Sequence, residues 1–176
     1  SSRLLKIDIP QVDTGIDTHH PDFAGRIAQF KDFTGEGEKD NHGHGSHVAG
    51  IVGGSGAGSG DKYKGVAPEC TFFAAKVLKG DGSGDTSGVM AGIEWAVQQG
   101  AQVINMSLGG RMSSKVMERA VAYAIKKGVT VVCAAGNEGR TGVGCPAGYK
   151  DVIAVAATQF DESLTFYSNR GSSITL

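Results

Sequence analysis

Short apolar runs alternate with amphipathic stretches along the whole of this 176-residue chain, and that alternation restricts its fold more than any other feature. Leu4–Val12, Thr71–Val77, Val103–Met106, Val129–Ala134 and Val152–Ala156 read as strands. His44–Gly53, Ser87–Gln99 and Lys115–Lys127 read as helices. Met90, Ile93, Trp95 and Val97 fall near helical spacing, as do Val116, Val121, Ala124 and Ile125, and Gly128 stops the last helix. Alternating strands and helices predict an α/β fold, a three-layer, mostly parallel sheet with helices on both faces. A chain of this length supports one domain over residues 1–176. Ligand sites in such sheets lie at the carboxyl ends of strands, and Asp13, Ser107 and Asn137 each fall at or just past one.

The first strand contains a conflict. A central parallel strand should be continuously apolar, but this one reads Ile7, Asp8, Ile9, Pro10, Gln11, Val12. Pro10 lacks a ladder donor, and a buried Gln11 needs partners. A strained or displaced strand would misplace Asp13.

Three segments carry chemistry: VDTGID with Asp13, DNHGHGSHVAG with His44, and AAGNEG with Asn137. A hydroxyl is a poor nucleophile at neutral pH and needs a base within hydrogen-bond reach. Histidine suits that role, and a carboxylate fixes its tautomer. An asparagine amide can hold the oxyanion of a tetrahedral intermediate. In this order the segments resemble the subtilisin-like serine proteases. The resemblance runs through Asp13–His20, Asp40–Gly50, Lys64–Leu78, Asp81–Ala96, Val103–Gly110, Val131–Gly139 and Asp151–Ala157, with HGSHVAG its most specific part.

The resemblance implies a serine endopeptidase in which Asp13 orients His44 as general base and Asn137 is the oxyanion donor. That family's Gly-Thr-Ser segment, which carries the nucleophile, does not occur before Leu176. The chain is therefore expected to be the N-terminal two-thirds of a peptidase domain, inactive alone, incomplete at its C-terminus and dependent on the missing segment to bury its core. Peptide or protein substrates would lie along two strand edges, at Gly82, Ser83 and Gly84 and at Ser107, Leu108, Gly109 and Gly110. Ala134, Ala135 and Gly136 would line a roomy primary specificity pocket. The resemblance also implies structural calcium, with Asp22 at a tight site and carbonyls of Ala147, Tyr149 and Val152 at a weaker one. The loop Gly53–Lys64 replaces the segment that would complete the tight site. A propeptide is a further expected partner. The location implied is extracellular, with a cytoplasmic alternative.

Two other functions compete. One is a non-catalytic relative that binds peptides along its strand edges. The other is a metal-dependent hydrolase using the H-x-H-x-x-H pattern of His42, His44 and His47, although Ser46 stands where that motif needs an Asp and no His follows His47. A net charge of −1 gives no basic field for nucleic acid. No apolar run reaches the roughly 18 residues of a membrane span. Cys70, Cys133 and Cys145 are an odd count and read as buried thiols rather than a disulfide framework.

Overall fold

The computed structural model describes residues 7–176. Its elements are β1 (Asp8–Asp13), β2 (Ile27–Asp32), α1 (His44–Gly53), β3 (Thr71–Lys76), α2 (Thr86–Gln98), β4 (Val103–Met106), α3 (Lys115–Lys126), β5 (Thr130–Ala134) and β6 (Ile153–Val155). Residues 4–6 of the expected first strand lie outside the described part. The chain forms two compact units, one ending at Gln102 and the other beginning at Val103.

In the first unit the strand order is β2-β3-β1, all parallel. Alternation along β1 sends neighbouring side chains to opposite faces. Gln11 reaches α1, where its Nε2 donates to the Gly45 carbonyl. Val12 and its partner Ala75 lie under Gly92 of α2. A methyl on Gly92 would come within 2.6 Å of Val77, so α2 needs glycine there to approach the sheet. Phe73 meets Trp95 of α2 edge-on at 6.4 Å between ring centroids. Phe72 and Ala74 face the other way and pack with Ile16, Phe23, Ala49 and Cys70. The helices thus cover both faces of this sheet, and fully buried Phe72 contributes about 2–3 kcal/mol to that packing.

Pro10 does not break the ladder. Thr71 and Val77 donate to the carbonyls of Ile7 and Asp13, so odd-numbered residues of β1 face β3. The nitrogen of Pro10 points to the opposite edge, and Pro10 still stands in register with Phe73. Gln11 is 2% exposed, and its Oε1 has no hydrogen-bond partner among the described residues. The polar side chain is therefore half satisfied, which costs about 1–3 kcal/mol for the orphaned oxygen.

In the second unit β4-β5-β6 are parallel and α3 packs on β5. Ser114 caps α3 by accepting from Met117 N–H at 3.4 Å, and Met117, Ala120, Val121 and Ala124 form its buried stripe.

Candidate active site

Asp13 closes β1 and is wholly buried, while His44 is the first residue of α1. His44 Nδ1 lies 2.7 Å from Asp13 Oδ1, which also accepts from Thr14 N–H at 2.7 Å. An ionised carboxylate only accepts, so Nδ1 carries the proton between them, and in the neutral imidazole Nε2 then holds the lone pair. The His44 side chain is 39% exposed, so its ring opens to solvent. Burial raises the pKa of Asp13, against the opposing hydrogen bonds from His44 and Thr14. Asp13 Oδ2 has no partner among the described residues.

Asp40 builds the frame around this pair. The N-cap of α1 is Gly43, which has no side chain to cap with. Asp40 substitutes from three residues upstream: its Oδ1 accepts from His42 N–H at 3.0 Å and Gly43 N–H at 2.8 Å, and its Oδ2 from Ser46 N–H at 2.9 Å and Ser46 Oγ at 2.6 Å. Thr14 Oγ1 donates to Asp40 at 2.9 Å and accepts from Gly45 N–H at 2.9 Å, stitching the residue after Asp13 to the residue after His44. Despite partial burial, these bonds hold the Asp40 carboxyl at a pKa of about 2, below its ordinary 3.8.

A depressed carboxyl stabilises the fold above its unfolded pKa and loses that contribution as pH falls through the folded one. Asp40 is therefore expected to contribute about 2 kcal/mol above pH 4. Urea titrations of the intact protein with and without Asp40→Asn check this. The stability difference between the two should shrink steadily from pH 4 to pH 2. A difference constant with pH would refute it.

The three histidines of the H-x-H-x-x-H pattern do not converge. The His42 and His44 rings stand edge-on with centroids 6.2 Å apart, and Ser46 is spent on Asp40. Among the described residues no three His, Cys, Asp or Glu side chains form a metal-ligand group. His42 lies against the expected substrate segment, since a methyl on Gly82 would come 3.2 Å from its Nε2. That segment is a turn rather than a strand: Lys79 N–H donates to Ser83 O at 2.7 Å, and Asp81 accepts from Ser83. Ser83 and Gly84 are exposed, and any side chain at Gly84 would meet the Val77 carbonyl.

In the second unit Asn137 follows β5 on an exposed turn. Gly136 before it has φ +108°, a value that favours glycine. Ala134 and Gly136 are half-buried and Ala135 is buried. Ser107, Leu108 and Gly109 follow β4 without regular structure, and Gly110 pairs with Cys145 through two 2.9 Å bonds. Gly144 N–H donates to Ala135 O at 2.9 Å, so both expected pocket walls are tied to residues 144–145. All three cysteines are free, and burial pushes the Cys133 thiol up to about 12.

The calcium residues differ in fit. Asp22 brings a single carboxylate, and its Oδ1 accepts from Gly58 N–H at 2.6 Å within the Gly53–Lys64 loop. Among the described residues Asp22 belongs to no group of three or more His, Cys, Asp or Glu side chains, and its carboxylate clasps the loop. Ala147, Tyr149 and Val152 are buried in one tight turn, where the Tyr149 carbonyl accepts only a long 3.4 Å bond from Val152.

The chain is similar to known proteins along most of its length. The family model described as the subtilase family matches residues 6–176. Thermitase of Thermoactinomyces vulgaris is 40% identical over 163 residues, covering 92% of this chain and 58% of thermitase. The major intracellular serine protease of Bacillus subtilis (strain 168) is 42% identical, covering 97% of this chain and 56% of that protein. The crystal structure of a cold adapted subtilisin-like serine proteinase superposes with a TM-score of 0.85 at 35% identity, covering 96% of this chain and 60% of that one. The chain thus spans less than two thirds of each of these relatives. Its parallel sheets, its helices and its match to the family along nearly the whole sequence show that it belongs to the subtilase family of serine proteases.

Proposed function

We propose that the intact protein is a serine endopeptidase and that this chain supplies its general base, the group that orients the base, and an oxyanion donor. The observation that carries the reading is the 2.7 Å contact between buried Asp13 and His44 at the end of a parallel strand. A serine outside this sequence attacks the scissile carbonyl carbon. Its hydroxyl proton moves to His44 Nε2 as the new C–O bond forms. The carbonyl oxygen takes up the negative charge and accepts from the Asn137 amide. His44 then gives the proton to the departing amine as the C–N bond breaks, leaving an acyl-enzyme that water cleaves by the reverse sequence.

Gly82–Gly84 and Ser107–Gly109 would pair with an extended peptide, and Ala134–Gly136 would floor a pocket of small side chains suited to broad specificity. Of the two calcium positions, the carbonyls of Ala147, Tyr149 and Val152 fit better than Asp22. The setting is extracellular, with a cytoplasmic alternative. A propeptide and the segment carrying the serine are the expected intramolecular partners.

The test is peptide hydrolysis by the intact protein and its Asn137→Ala variant. Removing the amide should lower kcat by about 10²–10³-fold with KM little changed, the size known for the oxyanion asparagine of a subtilisin. A kcat within threefold of the parent would remove Asn137 from the mechanism.

A further inference from the structure

Asn169 is wholly buried, and its side-chain amide and main-chain N–H are turned toward one short stretch of chain. Its Oδ1 accepts from Glu138 N–H at 3.1 Å and from Arg140 N–H at 3.3 Å. Its Nδ2 donates to the Ala135 carbonyl at 3.1 Å and to the Glu138 carboxylate. Its main-chain N–H donates to the Gly136 carbonyl at 2.9 Å. All these partners lie within residues 135–140, the turn that presents Asn137.

The arrangement brackets Asn137. Gly136 before it is held through its carbonyl, and Glu138 after it through its N–H and its carboxylate. The Asn137 side chain itself is exposed, so its direction is set by the main chain on either side. Neighbouring bonds extend the clasp: Gly139 N–H donates to Tyr167 O at 2.7 Å, and Arg170 N–H to Arg140 O at 2.9 Å. A methyl on Gly136 would collide with the Asn169 amide, so the two residues fit only as a pair.

Asparagine suits this place for a chemical reason. The turn offers two N–H donors to one side of the buried group and a carbonyl plus a carboxylate to the other. One amide matches both sets, with an acceptor facing the donors and a donor facing the acceptors. Aspartate would set a second carboxylate against Glu138, and alanine would leave the turn's buried polar groups unpaired.

We propose that Asn169 is a positioning residue for the oxyanion donor, fixing the chain on both sides of Asn137 and acting on the transition state through that side chain. This rests on the reading of Asn137 as donor. Oxyanion stabilisation depends on donors already in place, and a displacement near 1 Å costs about 10²-fold in rate. The effect should therefore fall on kcat and should vanish once Asn137 is gone.

The experiment is a double-mutant cycle on the intact protein, with kcat and KM measured on a peptide amide substrate for the parent, Asn137→Ala, Asn169→Ala and the double variant. Asn169→Ala is expected to lower kcat about 10- to 100-fold with KM within about twofold, and to lower it less than about threefold when Asn137 is already alanine. Equal losses in both backgrounds would mean a general structural role and overturn the inference. So would a loss expressed only in KM. A normal kcat in Asn137→Ala would overturn the donor reading, and this inference with it. Should the alanine variant fail to fold, Asn169→Asp, which keeps the shape and the acceptor but loses the donor, enters the same cycle under the same criteria.

Discussion

Replacing His44 with alanine is expected to lower kcat on peptide substrates by about 10⁶-fold, the size known for loss of the general base in a subtilisin. The argument is geometric. Nδ1 is committed to the Asp13 carboxylate at 2.7 Å, and the partly exposed ring leaves Nε2 as a base. His42 is not placed to take over: it lies edge-on to His44 with centroids 6.2 Å apart, and its Nε2 lies against Gly82. KM should change little, because the imidazole does its work on the proton in flight rather than on the resting substrate. Steady-state kinetics on a peptide amide check this, and a loss smaller than about 10²-fold would mean that His44 is not the base.

Asp13→Asn should divide activity from stability. The asparagine keeps the shape, but its amide favours the wrong imidazole tautomer, and kcat should fall about 10⁴-fold, as the same replacement does in a triad protease of unrelated fold. Stability should move the other way or stay level. Burial raises the Asp13 pKa, so the folded pKa lies above the unfolded one, and the ionised form weakens the fold at neutral pH. That penalty is present above the folded pKa and relaxes as pH falls through it. A neutral asparagine removes it. Thermal unfolding of the intact protein at pH 7 should give the variant a Tm equal to or above that of the parent. A Tm several degrees lower would show that the buried charge stabilises the strand end instead.

Much of the fold was legible because the apolar runs are strong. The runs over Thr71–Val77 and Val103–Met106 match β3 and β4 closely, and the spacing in Lys115–Lys127 marks α3. β2 carried no such signal. Ile27–Asp32 places Gln29 and Lys31 among its apolar residues, since an edge strand needs only one covered face. The Pro10 conflict was read from composition, whereas its outcome depends on which edge of β1 the nitrogen faces. Asp13 and His44 stood out through their motifs, and Asp40 could have been found from the same rules: a glycine N-cap leaves helix donors unserved, and an Asp three residues ahead can serve them. Asn169 could not, because its partners are some thirty residues away and nothing in local pattern records them.

The most direct measurement is the site of reaction with an organophosphonate probe that modifies only activated serines. The intact protein should be labelled at one serine, on a peptide outside residues 1–176, and the His44→Ala protein should not be labelled. Labelling at a serine within this chain, such as Ser107, or labelling undiminished by loss of His44, would contradict the account.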